Sequence, residues 1–314
     1  MPKALLKDDF SNLLEYQQWL GQSWGNLSAL NHHFQEHYTE WAVSSRIRGD
    51  RDWYGAGVTY RELADGITQY KDPELIERLY NKVAHELPAD IVNRIKKRKL
   101  NFNALGLGVF SFDRAAMTLY RAKMPSGKMA VKTATKELFA WFPAETRDRH
   151  AVELFISCDA PGNMTADRML YGGISAILIA ELLINAGVKV RINIVIGSGI
   201  EAREKYVGCV VPVKGYDDPF DRNLAALLTS DPRFMRFDAF KGVIAAFDHF
   251  RMPTPAGMGL PMNAAQLKDM FEQSGYTKKS QAQHRYYFGG TFSEAAAIKD
   301  IERIIDDIAR KLDT

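Results

Sequence analysis

The stretch from Ala151 to Ile196 limits the possible fold of this chain more than any other. Ala151-Val-Glu-Leu-Phe-Ile-Ser157 is a near-continuous apolar run of strand length. It passes into a small polar loop, Asp159-Ala-Pro-Gly-Asn163-Met164-Thr165, and then into a long apolar segment ending at Ala186-Gly187. A glycine just past the last periodic residue is a helix stop, and Val188 to Ile196 is again strand-like. Strand, helix and strand at this spacing make a βαβ unit, which implies a mainly parallel sheet flanked by helices.

The rest of the C-terminal half continues the alternation. A strand is expected at 206–213 and helices at 220–228, 237–249 and 263–273, with a Pro, Gly and Met loop at 252–261. Arg285 to Phe288 reads as a strand and Ser293 to Leu312 as an amphipathic helix. Ile298, Ile301, Ile304, Ile305, Ile308 and Leu312 form its apolar face. The expected fold is therefore α/β and Rossmann-like over 151–314.

Residues 1–100 read as a helical N-terminal region. Ser11 caps a helix opening at Leu13, and Leu30, Phe34, Tyr38 and Trp41 form a stripe. Thr59 and Glu62 make a capping box, and Asp72-Pro73 opens a helix that runs to Glu86. Residues 101–150 read as a connecting region with short strands at 109–112, 117–121 and 129–133. Whether 1–100 folds apart or wraps the sheet is left open by the sequence.

Composition narrows the function. The balance of 41 basic and 38 acidic residues argues against a broadly basic nucleic-acid binder, though not against a local basic surface. Cys158 and Cys209 are too few for a disulfide framework and fit a reducing compartment. The opening Met1-Pro-Lys-Ala-Leu-Leu-Lys7 lacks the apolar core of a signal peptide. The apolar run from Ile174 to Ile184, broken by Glu181, is shorter than the roughly 20 residues of a membrane span. A cytoplasmic protein with no membrane partner is expected.

In open parallel sheets ligands gather at the carboxyl ends of the strands. Asp159 stands at such an end, beside a helix N-terminus with its free N–H groups. Asn163 and Thr165 could add neutral oxygens, which makes Asp159 a candidate for Mg²⁺ or Mn²⁺. Asp217 and Asp218, in the loop from Lys214 to Asp221, and Thr291, after the strand at 285–288, are expected to face Asp159 across this edge. The plainer reading of these aspartates is turn and cap chemistry.

Asp159, Pro161, Asn163 and Met164, with Gly187-Val188 at the turn into the next strand, carry a family pattern. Over 151–312 the chain resembles a von Willebrand factor A (VWA) domain, whose first strand ends in Asp-x-Ser-x-Ser. Pro161 and Asn163 replace both serines. The family's later Thr has no counterpart, its place taken by the Lys214–Asp221 loop, and the Asp after the fourth strand falls at Gly289-Gly290. The resemblance therefore implies a degenerate metal site on a truncated domain. Cytosolic VWA proteins work beside MoxR-type AAA+ ATPases, so the resemblance implies a non-enzymatic adaptor with an AAA+ ATPase as partner. Trp53-Tyr-Gly55, Thr59 to Glu62 and Tyr286 to Phe292 are similar to segments of tailed-phage proteins, which implies a phage-encoded protein in the host cytoplasm.

Two other signals compete. Arg94, Lys96, Lys97, Arg98 and Lys99 form a basic run before Phe102, a pattern that can grip single-stranded nucleic acid through phosphates and stacking. A solvated helix end explains the same charges. His33-Phe-Gln-Glu36-His37 has the His-x-x-Glu-His spacing of a zinc hydrolase, but no third ligand is evident and exposed histidines explain it as well. Cys158 has no neighbouring His in sequence and Ser157 no Gly-x-Ser-x-Gly context, so nucleophilic catalysis has no support. The glycines at 197, 199, 289 and 290 fit no phosphate loop.

Overall fold

The computed structural model describes residues 4–35, 73–94, 101–103, 109–110, 115, 138–141, 151–162, 164–200 and 205–312. The chain divides into two compact units, one made of residues 1–95 with 150–314 and the other of 96–149.

In chain order the first unit begins with β1 (Ala4–Lys7), α1 (Leu13–Gly25), α2 (Pro73–Glu86) and α3 (Ile91–Arg94). The cap of α1 is Asn12, one residue past the expected Ser11, and its side chain accepts from the Glu15 N–H at 3.0 Å. The second unit holds β2 (Asn101–Asn103), β3 (Val109–Phe110) and β4 (Phe139–Trp141), an antiparallel sheet in the order β2-β4-β3. The strands expected at 117–121 and 129–133 and the capping box at 59–62 lie outside the described residues.

The first unit resumes with β5 (Ala151–Ser157), α4 (Ala166–Asn185), β6 (Lys189–Ile200), β7 (Lys205–Lys214), α5 (Arg222–Ser230) and α6 (Pro232–Phe234). A π-helical turn at Met235–Ala239 leads into α7 (Phe240–His249). Then come α8 (Ala264–Gln273), α9 (Tyr276–Lys279), β8 (His284–Phe288) and α10 (Glu294–Leu312). The strand order is β1-β7-β6-β5-β8. β5 runs parallel to both β6 and β8, whereas β7 is antiparallel to β6 and β1 parallel to β7. This is the expected α/β architecture, a mainly parallel sheet flanked by helices, with the N-terminal stretch supplying an edge strand.

Alternation along the strands sorts the core. Val152, Leu154, Ile156, Ile192 and Ile194 point to one face. There α4 and α10 cover the β5 side, through Ile174, Ile177, Ile301, Ile304, Ile305 and Ile308. On the same face, α1, the π turn and α7 cover β6 and β7, with Tyr16, Phe237 and Phe247. Phe155, Val195 and Val210 point to the opposite face, under α8 and α9. α4 is apolar nearly all round because it is packed on several sides. Gly187, at φ 81°, makes the left-handed turn that returns the chain from α4 to β6. Among the described residues no helix is long and apolar enough to cross a membrane.

Two adjacent glycines on α4 set the spacing at the carboxyl end of the sheet. A Cβ at Gly173 would overlap the hydroxyls of Thr229 and Ser230 at the end of α5, whereas one at Gly172 would sit 3.5 Å from the Thr291 carbonyl, an ordinary contact. Neighbouring substitutions should therefore have opposite signs. Gly172→Ala gains helix propensity, up to about 1 kcal/mol. Gly173→Ala forces Thr229 and Ser230 aside and loses a net of about 1–2 kcal/mol from the overpacking. Urea unfolding of the two variants tests this, and midpoints moving in the same direction would refute it.

Candidate functional site

The Cys158 N–H still donates to the Val195 carbonyl, at 2.9 Å, so β5 keeps its place in the sheet up to the residue before Asp159. The chain then turns, with the Met164 N–H donating to Pro161 O at 2.9 Å, and enters α4. Asp159 Oδ2 accepts the Met262 N–H at 2.8 Å, which ties the 252–262 loop to the strand end. Its other oxygen, Oδ1, is buried and has no hydrogen-bond partner among the described residues, and neither does Ser157 Oγ. Burial pushes the Asp159 carboxyl up to about 6, against the opposing effects of the neighbouring Ser157 hydroxyl and then the Met262 N–H.

Asp159 separates two cavities. The first, about 30 Å³, is lined by the polar residues Ser157, Asp159, Thr229, Ser230, Asp231 and Thr291, with glycines 172, 289 and 290 in its walls. It has room for one or two waters or a small ion. The second, about 240 Å³, has mostly apolar walls from Ala160, Phe240, Val243, Met258, Leu260 and Pro261, with Ser198 the other polar wall. One side of it is formed by the 252–262 loop, which pairs with the outer end of β6: Gly199 and Leu260 exchange backbone hydrogen bonds of 2.9 and 3.0 Å. The loop contains residues at positive φ, including Met258 at 62° and Gly259 at 86°. Gly259 has to be glycine for a second reason, since a Cβ there would overlap Ser198 Oγ.

The charges at this edge are unequal. Asp231 is clamped by Arg233, whose Nε and backbone N–H each donate to Oδ1 at 2.8 Å while Nη2 donates to Oδ2. Asp159 forms no ion pair among the described residues. Beneath the Asp159 loop, the fully buried Arg236 guanidinium donates to the Met164 carbonyl. The π turn that carries it is a helix irregularity of a kind frequent at functional sites. Cys158 Sγ donates to the Leu228 carbonyl at 3.1 Å, and burial pushes its thiol up, which suits packing and not nucleophilic attack.

The structure brings some of the expected residues together and separates others. Thr291 lines the small cavity beside Asp159, and its hydroxyl donates to Asp300 Oδ2 at 2.7 Å. Thr165 is the exposed cap residue of α4 and makes no side-chain cap bond. Asn163 lies outside the described residues. Asp217 and Asp218 do not face Asp159. Because β7 is antiparallel to β6, its following loop lies at the amino end of the parallel strands, where Asp217 pairs with Lys189 at 2.8 Å. That is roughly 20 Å from the carboxyl end at about 3.3 Å per residue along β6. Asp218 accepts the Gly215 N–H at 2.7 Å and closes its own turn.

Arg94 is held by Asp90 at 3.0 Å and Asp306 at 2.9 Å, while residues Lys96, Lys97, Arg98 and Lys99 lie outside the described residues. Phe102 is in β2, in the other unit. His33 is exposed with its ring against Phe34, and Glu36 and His37 lie outside the described residues. Just before it, Asn31 is fully buried and bonded to Asp248, Met252 and Thr254, so this segment anchors the loop after α7. Among the described residues no three His, Cys, Asp or Glu side chains are grouped to hold a metal ion.

Thr229, Ser230, Asp231 and Ser198 are site residues that the sequence reading does not find. One signal was available: Asp231-Pro232 is a helix start, and it places Thr229-Ser230 at the junction before a later helix. A model of a domain of unknown function, DUF7192, matches residues 140–313. No curated protein and no solved structure matches the chain. The matched span takes in every residue of the Asp159 edge described above, and the chain belongs to the DUF7192 family.

Proposed function

We propose that the protein is a non-enzymatic binding protein, an adaptor that engages a partner protein through the carboxyl edge of its sheet around Asp159. The observation that carries this reading is the Asp159 carboxylate at the strand end, which burial holds up at about 6 and which has hydrogen-bond donors but no ion pair among the described residues. Buried charges in proteins are ordinarily paired. A carboxylate kept without a charged partner beside two cavities is therefore matched to something that binds there. The chemistry around it is that of recognition: hydroxyls, backbone groups and a thiol raised by burial, with no nucleophile held against a base among the described residues.

The VWA resemblance agrees with this use of the edge. Asp159 follows β5, the long α4 and the Gly187 turn lead to the parallel β6, and Gly289-Gly290 follows β8 beside the same cavity. An AAA+ ATPase is the partner class that the resemblance implies, in a phage-encoded setting within the host cytoplasm. Mg²⁺ or Mn²⁺ fits the edge poorly. Such an ion takes carboxylates with several waters in near-octahedral geometry. Here Asp231 is already occupied by Arg233, the Thr291 hydroxyl is committed to Asp300 and the Thr229 hydroxyl to the Ala225 carbonyl, which leaves one carboxylate and the hydroxyls of Ser157 and Ser230.

The test is capture of partners by the full chain from the cells that make it, with and without nuclease, comparing wild type and Asp159→Asn. A defined protein recovered regardless of nuclease and lost with the variant is the expected result. Equal recovery by both proteins would sink the reading. Nucleic-acid-binding proteins that disappear on nuclease treatment would instead point to the basic run at 94–99.

A further inference from the structure

We propose that the larger cavity beside Asp159 is a ligand site of its own, for one small neutral aromatic molecule between benzene and indole in size. The inference goes beyond the adaptor reading and does not depend on it.

The walls select against a charged occupant. Their polar side chains are those of Cys158, Asp159 and Ser198. Asp159 Oδ1 is buried beyond contact from the cavity, and Oδ2 is taken by the Met262 N–H at 2.8 Å. Ser198 Oγ donates to the Leu260 carbonyl at 3.3 Å, and Cys158 Sγ to the Leu228 carbonyl at 3.1 Å. An ion entering here would give up its hydration and find no uncommitted side-chain group to replace it. The other side chains in the walls, from Ala160, Phe240, Val243, Met258, Leu260 and Pro261, are apolar. Water in such a space is poorly bonded, so an apolar molecule that displaces it gains affinity.

Size and wall chemistry narrow the class. The volume, about 240 Å³, exceeds the roughly 150 Å³ of an engineered apolar cavity that takes up benzene. It falls short of the roughly 300 Å³ at which drug-sized sites begin, so one ring or two fused rings fit. Phe240 offers such a ring an aromatic neighbour, and the Met258 thioether suits a ring edge, which favours an aromatic molecule over an alkyl chain. Entry is open, since Gly162 is exposed and Leu260 is 45% exposed. Met258 is held at the cavity in a left-handed conformation, φ 62°, between Gly257 at 66° and Gly259 at 86°. Backbone strain at a residue with a side chain is of the kind kept at ligand clamps.

The probes are toluene and indole, with benzylammonium and benzoate as charged counterparts of toluene, titrated into the full chain by saturation-transfer NMR at neutral pH. Two variants locate the site. A Cβ at Gly162 meets nothing within 4 Å, and Gly162 lines the larger cavity but not the smaller one, so Gly162→Leu adds bulk where the ligand would lie. Val243→Phe fills the same cavity from α7. A cooperative thermal melt verifies that each variant is folded.

Toluene and indole are expected to bind, and the charged counterparts to bind about tenfold or more weaker than toluene. Loss of about tenfold or more in neutral-probe affinity in either folded variant places the ring in this cavity. Benzylammonium or benzoate bound as tightly as toluene would overturn the proposal, because the walls would then be selecting charge. So would neutral binding that survives both variants, or no binding of toluene and indole at all. Partner capture abolished by saturating indole would overturn it too, since the occupant would then be an aromatic side chain of the partner and not a free molecule.

Discussion

Asp159→Asn is expected to stabilise the protein by about 3 kcal/mol at pH 8, and by less than about 1 kcal/mol at pH 4. The carboxyl stands at about 6 in the fold against a model value of 3.8, and each pH unit of such a difference is worth about 1.4 kcal/mol. The folded state therefore binds the proton more tightly than the unfolded chain does. Above pH 6 both states are ionised and the burial of the charge is borne in full. As pH falls from 6 towards 4 the folded protein takes up the proton first, and wild-type stability rises. Asparagine has no charge to desolvate. It keeps an oxygen for the Met262 N–H and offers an NH₂ that the neighbouring Ser157 hydroxyl oxygen can accept. Urea unfolding of both proteins at the two pH values is the measurement, and a gap that does not change with pH would show that charge is not its cause. If stability rises in the variant while partner capture falls, the carboxylate is being retained for recognition at the expense of the fold.

The fold and part of the candidate edge could be read from residue patterns, and the departures have a common origin in long-range packing. β5, α4 and α10 announce themselves because an apolar strand, an apolar helix and a 3.6-residue stripe of isoleucines are each local signals. Asp159 was legible for the same reason, as the acidic residue between a strand and a helix. β1 was not: Ala4-Leu-Leu-Lys7 is too short to show alternation, and it becomes a strand only because β7 offers an edge to pair with. The misplacement of Asp217 and Asp218 follows from treating β7 as another parallel strand. Residues 201–204 are too few for the dozen-residue crossover a parallel neighbour needs, so the sequence did contain the correction. Thr229 and Ser230 were illegible in a stricter sense. They reach the edge only because α4 has glycine where their hydroxyls approach, and no local pattern reports which helix a glycine will touch.

Glu153→Gln should cost about 3–5 kcal/mol, although the residue is away from the Asp159 edge. Glu153 interrupts the apolar run of β5 and is only 1% exposed. In the register of the sheet it stands opposite Arg191 on β6 and Arg285 on β8. Arg191 Nη1 is 3.9 Å from Oε1, and Arg285 Nε is 3.7 Å from Oε2. Ser280 Oγ donates to Oε2 at 2.7 Å. Burial first, and then the Glu153 charge, push the Tyr216 and Tyr276 hydroxyls up, so the network is roofed by neutral phenols. Glutamine keeps the shape and removes the charge, leaving two guanidinium groups facing each other across β5. These are 30% and 19% exposed and can turn partly towards water, which favours the lower end of that range. Ser280→Ala, which deletes one hydrogen bond to the same carboxylate, should cost about 1.5–3 kcal/mol. Replacing all three charged residues with apolar ones of similar volume should return the stability to near the wild-type value, because the ion pairs only offset the desolvation of their own members. What the triple variant would lose is register. A one-residue slip of β5 turns Glu153 away from both arginines and moves every core side chain to the wrong face. Guanidinium unfolding of the single and triple variants decides the matter. A triple variant as unstable as Glu153→Gln would mean that the charges contribute net stability in their own right, and that their role is not the selection of the pairing.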